Sequence, residues 1–281
     1  AELAKLYYAT GIEVDGLDYD KTVATTNEHL KPENTTLFEA AIRYENLFMR
    51  VDVLRKRGNH FELIEVKAKS FDSSLEEPFL NKNGTIKAPW LPYLYDVAFQ
   101  KYVINSALPH YKVSAHLIMA DKTAQCPTDG LNQKFRIVKN SNGQKSVSVS
   151  QNLTEEDLKP QILCKINVDE ICNQIYNDTN YGIEQSQSFE QQINFYADHY
   201  SSDKKICSQI SKSCSKCEFY TTDVDEHIGF KSGKKECWKD ILGWVDSDFK
   251  EKTVLDIWDF RKKKTDLIME GRIKISDVTE E

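Results

Sequence analysis

The stretch Thr36–Ser70, TLFEAAIRYENLFMRVDVLRKRGNHFELIEVKAKS, decides the fold. It reads as three strands, at about 36–44, 47–55 and 61–68, with polar turn residues at Glu45-Asn46 and Lys56–Asn59 between them. Three strands joined by such short turns make an antiparallel meander. Asp52 falls in the second strand, and Glu65, Val66 and Lys67 in the third. Side chains alternate along a strand, so Glu65 and Lys67 share one face and Asp52 can meet them from the neighbouring strand.

Outward from this segment, LDYDKTVATTNEHLK (17–31) has loose helical spacing and stops before Pro32. Residues 71–92 are irregular, with Pro78, Gly84, Pro89 and Pro92. YLYDVAFQKYVINSA (93–107) carries a helical apolar stripe, and YKVSAHLIM (111–119) reads as a buried strand. Helix, three strands, helix and strand predict an α/β fold with a mixed sheet flanked by helices. Residues 134–149 predict a hairpin around Asn140–Gly143, followed by helices at about 154–177 and 186–200.

Bulk properties exclude little. The 281 residues are 40% hydrophobic and 29% charged, with a net charge of −7, so a general basic coat for nucleic acid is disfavoured. No apolar run is long enough to cross a bilayer, and the first residues lack a signal-peptide layout. Seven cysteines, an odd count, together with that start, read as a cytoplasmic protein rather than a secreted disulfide framework. The Asn-x-Thr triplets at Asn34, Asn83, Asn152 and Asn177 are of the kind chance supplies in an Asn- and Thr-rich chain.

Two carboxylates beside a lysine suit phosphodiester hydrolysis. Asp52 and Glu65 would bind Mg²⁺ or Mn²⁺, and Lys67 would position water and stabilise transition-state charge. Glu39, an acidic residue among apolar neighbours in the first strand, is a further candidate ligand. Asp96 shares a helix face with Gln100, four residues on, and is expected to cap or pair locally.

FELIEVKAKS, preceded by RVDVL and followed by YLYDVAFQKYVI, resembles the RecB-type branch of the PD-(D/E)XK nucleases. The likeness is strongest to a bacterial domain-of-unknown-function family with a carboxy-terminal cysteine cluster. It extends to GLNQKF (130–135) and to CSKCEFYTTD and KKECWKDILGW further on. The resemblance implies a restriction-endonuclease-like core over 1–150 and a Mg²⁺- or Mn²⁺-dependent deoxyribonuclease, exonucleolytic rather than endonucleolytic. It also implies DNA as partner and a fused or associated nuclease or helicase domain. Asp52 and Glu65 would be the metal ligands, Lys67 the catalytic lysine and Gln100 the helix glutamine that supports the substrate. Three features depart from the family. Val51 stands in place of Pro. Ile104 stands where Q-x-x-x-Y needs tyrosine, leaving Tyr102 as the nearest substrate-binding substitute. No upstream helix with the expected histidine or acidic residue is recognisable before residue 17, which implies a truncated amino terminus.

Cys214 and Cys217 form a C-x-x-C, and Cys237 follows after nineteen residues. Thiolates so spaced hold zinc or an iron–sulfur cluster. Either Cys207 completes a zinc site, or, as in related RecB-type nucleases, Cys214, Cys217 and Cys237 pin a [4Fe–4S] cluster with an amino-terminal fourth ligand. This places a helical and cysteine-rich metal module at 151–245 and a tail or linker at 246–281. Residues 201–240 hold eight lysines and seven acidic residues, so no clean basic patch arises there. Trp238, Trp244 and Trp258 are expected to pack more than to stack on bases. Two rival readings remain: an inactive nuclease-fold scaffold, and a zinc-stabilised DNA- or protein-binding module.

Overall fold

The computed structural model describes residues 1–139, 143, 145–179, 186–206, 208–258 and 260–278. They divide into two units, the first comprising residues 1–179 with Ser186–Ala197, the second the described residues from Asp198 onward. None of the described helices is long and apolar enough to cross a membrane.

The first unit is built on a mixed sheet. Its strands are β1 (Ile12–Glu13), β2 (Asn34–Tyr44), β3 (Leu47–Arg57), β4 (His60–Phe71), β5 (Lys112–Asp121) and β8 (Leu163–Asn167), hydrogen-bonded in that order. β2, β3 and β4 form the expected antiparallel meander, while β1 joins β2 and β5 joins β4 in parallel. The turn into β4 narrows to Gly58-Asn59, where Gly58 takes φ 55° without the cost a side chain would bring. Strands β6 (Phe135–Lys139) and β7 (Lys145–Val149) pair as the predicted hairpin; residues 140–142 of its turn lie outside the described residues.

Helix α1 (Glu2–Leu6), a single short turn that the sequence reading did not pick out, precedes the sheet. Helix α2 (Tyr19–His29) begins where Asp18 accepts the backbone N–H of Lys21. Its buried Thr26 hydroxyl accepts the backbone N–H of Ala41 at 2.9 Å, which fixes α2 on β2. Helix α3 (Leu91–Ala107) buries Leu94, Val97, Ala98, Val103 and Ile104 against the sheet.

The helix expected over 154–177 is corrected. Pro160 cannot continue a helix, and Leu163–Asn167 instead pairs with β5 as the sixth strand. Only Asp169–Asn177 is helical, as α4. Asp169 accepts both the Lys101 ammonium and the Ala115 backbone N–H, tying α4 to α3 and β5. Residues 151–179 thus belong with the sheet. Helix α5 (Phe189–Ser201) follows, and the division between the units falls near its end.

The second unit contains α6 (Asp223–His227), α7 (Gly233–Leu242) and α8 (Arg261–Met269). Its apolar cluster centres on Trp238, Leu255 and Ile273, joined at the edge by Trp244, Phe249, Cys214 and Cys237. Leu255 and Ile273 lie in the stretch read from sequence as a tail, and Thr253 bridges Lys274 there. Trp258, by contrast, is exposed.

Candidate functional site

The sheet is irregular where the candidate carboxylates lie. β2 and β3 pair continuously except at one opposed couple, Glu39 and Asp52, which falls between Phe38↔Val53 and Ala40↔Val51. Glu39 has φ 54°, a left-handed conformation uncommon for a residue with a side chain. The alternation of faces shifts by one at this step. Ala40, Ile42, Met49 and Val51 face the large core on one side of it; beyond it Leu37 and Leu54 take that role, and Phe38 and Val53 join a smaller cluster under Ala4 of α1. Simple alternation along the strand does not foresee this.

β3 and β4 also part at the site. Their last pair is Val53↔Ile64, so the next opposed residues would be Asp52 and Glu65. Asp52 fills the gap: its Oδ2 accepts the backbone N–H of Val66 at 2.7 Å. Glu65 is 8% exposed and receives two donors, Lys67 Nζ on Oε1 at 2.7 Å and Gln100 Nε2 on Oε2 at 2.9 Å. Lys67 Nζ reaches Asp96 Oδ2 as well, and Gln100 Nε2 reaches Asp96 Oδ1 at 3.2 Å. Asp96 therefore pairs locally with Gln100, as expected, and in addition joins α3 to the lysine of β4. Its place four residues before Gln100 was the sequence signal, but its distant partner was not legible.

Burial and the negative charge of Asp52 push the Glu65 carboxyl up to about 7, although hydrogen bonds from Lys67 and Gln100 pull the other way. Burial and Asp52 likewise raise the Glu39 carboxyl, against the pull of Lys5 and Arg50, whose nitrogens lie 4.0 and 3.7 Å from its oxygens. Burial disfavours the charge on Lys67, yet its bonds to Asp96 and Glu65 outweigh this and hold its pKa above the usual value. Lys5, on α1, is a contributor that sequence reasoning missed, because a helix of five residues carries no periodic signal.

Glu65, Lys67, Asp96 and Gln100 thus form one connected cluster where the middle of β4 meets α3, with Asp52 beside it; Glu39 lies opposite Asp52 midway along β2, its carboxylate near Lys5 and Arg50. Tyr102 is not among them. Two residues past Gln100 it turns to another side of α3, where its hydroxyl donates to Glu190 at 3.0 Å and burial and that carboxylate push its pKa up to about 12. Among the described residues no three His, Cys, Asp or Glu side chains stand ready-made around one metal position. The donor set nonetheless suits Mg²⁺ or Mn²⁺, which take one or two carboxylates and leave the remaining positions to water and phosphate. Burial, with repulsion from Asp52 added, raises the Glu39 and Glu65 carboxyls, and the buried Gln100 Oε1 has no hydrogen-bond partner; a hard cation would supply the missing charge, or its water the missing donor.

In the second unit, Cys214 and Cys217 lie in and just after a turn of 3₁₀ helix, Lys212–Lys216, and Cys237 lies on α7. The described cysteines carry free thiols. Burial raises the Cys237 thiol, and Cys214 and Cys217 add to the shift, but the three thiols do not stand grouped around one metal position. Cys207 lies outside the described residues.

Comparison with family models, curated proteins and solved structures gives no match to the chain.

Proposed function

We propose that the first unit is a metal-dependent nuclease of restriction-endonuclease-like fold, related to the RecB-type PD-(D/E)XK enzymes, that hydrolyses phosphodiester bonds in DNA. One observation carries the reading: Asp52 enters the gap where β3 and β4 part, beside a Glu65 that is bound to both Lys67 and Gln100. Surface charge alternating on a strand would have no reason to be buried, to share hydrogen bonds with a helix glutamine, or to interrupt sheet pairing.

Asp52 and Glu65 would hold the cation, with Glu39 near enough to add its charge. Bound there, a divalent cation polarises the phosphodiester and lowers the pKa of a water molecule. Lys67 stays protonated and offers its ammonium to the phosphate oxygens as negative charge develops on them. Asp96 holds that ammonium at the site, and Gln100 orients Glu65. In the second unit, Cys214, Cys217 and Cys237 would bind zinc or an iron–sulfur cluster as a structural staple.

The test is cleavage of labelled single- and double-stranded DNA with Mn²⁺, wild type beside Lys67→Ala. Cleavage lost in the variant supports the reading. Equal cleavage by both would remove Lys67 from the chemistry and overturn the assigned site, whereas no cleavage by either while DNA is still bound would favour an inactive nuclease-fold scaffold.

A further inference from the structure

Beside Asp96 the first unit has an apolar groove of ≈ 490 Å³ that the proposed chemistry does not use. Tyr95, Asp96 and Phe99 of α3 form one wall; Phe189, Gln192 and Tyr196 of α5 form the other. On each helix these residues are spaced by three and four, so each wall is a single helix face. Phe189 is buried and stacks against Tyr95 with ring centroids 6.5 Å apart, while Tyr196 is 45% exposed at the rim. The volume falls in the range of about 300–1,000 Å³ usual for sites that take small organic molecules.

Flat aromatic walls with a few polar groups fit a nucleobase. The Gln192 amide, one of whose hydrogens goes to the Tyr196 hydroxyl at 3.3 Å, keeps a second N–H for a base edge, and the Asp96 oxygens, each accepting one bond, keep lone pairs to accept from it. Asp96 also ties the groove to the nuclease site, since its carboxylate holds Lys67 Nζ and Gln100 Nε2. Lys69, two residues beyond Lys67 on the same strand, places its ammonium 4.4 Å from the Trp90 ring centroid and 4.6 Å from that of Tyr93. A backbone crossing the two lysines would bring a base to the groove mouth. Within a duplex both faces of a base are covered by neighbours; only an unpaired base can stack on protein rings.

We infer that the groove between α3 and α5 takes an unpaired nucleobase from a strand whose phosphates lie along Lys67 and Lys69, which makes single-stranded or frayed DNA the substrate class. The inference rests on the nuclease reading for its chemistry, but its test reads binding alone.

The experiment measures affinity for a short single strand carrying 2-aminopurine, for the same strand with an abasic position, and for the blunt duplex, without added divalent cation. Wild type should prefer the single strand and quench the 2-aminopurine. Tyr196→Ala should weaken single-strand binding by about tenfold, the scale of one lost stacking contact. Tyr196→Phe, which keeps the ring, should restore it, and neither change should alter duplex binding. Equal affinity for intact and abasic strands, no effect of Tyr196→Ala, or no binding of single strands would overturn the inference, as would capture of a helical peptide in the groove with no competition from DNA. Strand binding that depends on Tyr196 in a protein that never cleaves would instead remove the nuclease reading and leave the groove as a nucleic-acid site.

Discussion

Asp52 Oδ2 accepts the backbone N–H of Val66 at 2.7 Å, so the carboxylate nearest the centre of the site also closes the opening between β3 and β4. Its two tasks separate by substitution. Asp52→Asn keeps an acceptor for Val66 and should leave stability nearly unchanged. Asp52→Ala strands that N–H and should cost about 1–2 kcal/mol in urea unfolding. Both remove the charge that helps raise Glu65, so in both the apparent pKa of Glu65, followed by NMR titration, should fall below about 7. An unmoved titration would mean that Asp52 does not face Glu65 electrostatically.

The buried Glu65 should cost the metal-free protein stability at alkaline pH. Its carboxyl rises from an ordinary 4.5 to about 7, so between these values the folded state holds a proton that the unfolded state has released. Stability from this residue is therefore present below pH 4.5, declines as pH rises, and is at its lowest above about 7. Glu65→Gln removes the titration. Its melting temperature relative to wild type should be more favourable at pH 8 than at pH 5, by no more than about 3 kcal/mol in free energy. Mn²⁺ affinity of the wild type should fall over the same interval as pH drops, because a proton then competes for the ligand. A pH-independent difference between variant and wild type would refute the raised carboxyl.

The meander, α3 and β5 were legible because each presents a long apolar pattern of one period bounded by turn residues. Strand parity places Glu65 and Lys67 on one face and helix spacing places Gln100 with Asp96, whereas Asp52 sits at the step where the alternation of faces shifts, so parity alone does not place it. What the sequence hid was of two kinds. Leu163–Asn167 is short enough that the amphipathic helix behind it dominated the reading, and only its pairing with β5 makes it a strand. Lys5, Asp96 and the turned-away Tyr102 depend on contacts between residues distant along the chain or on the opposite side of a helix. Such contacts follow from how elements pack rather than from local spacing.

Glu39 supplies a test of strain at the site. A residue with a side chain at φ 54° costs about 1–3 kcal/mol, and glycine adopts that conformation freely. Glu39→Gly should therefore be more stable than Glu39→Ala by about 1 kcal/mol in chemical denaturation, although it deletes more side chain. If Glu39 contributes to cation binding, the two variants should weaken Mn²⁺ affinity equally, because neither has a carboxylate. Ala equal to or more stable than Gly would show that the left-handed turn in β2 is absent in solution.

The second unit is expected to depend on its cysteines. Its apolar cluster centres on Trp238, Leu255 and Ile273, a small core for the chain it organises, and small cores generally need a staple. Cys237 immediately precedes Trp238, whose ring lies edge-on to Trp244 with centroids 5.0 Å apart. Metal loss should accordingly loosen this aromatic cluster and redshift tryptophan emission. Protein purified without oxygen should carry bound metal, brown if iron–sulfur and colourless if zinc, and the Cys214→Ser, Cys237→Ser double variant should lose it. Structural zinc sites contribute on the order of 10 kcal/mol to folding. The double variant should therefore expose the second unit to proteolysis while the sheet of the first unit survives. A double variant that keeps both its metal and its tryptophan emission would exclude Cys214 and Cys237 as ligands and leave the cluster held by packing alone.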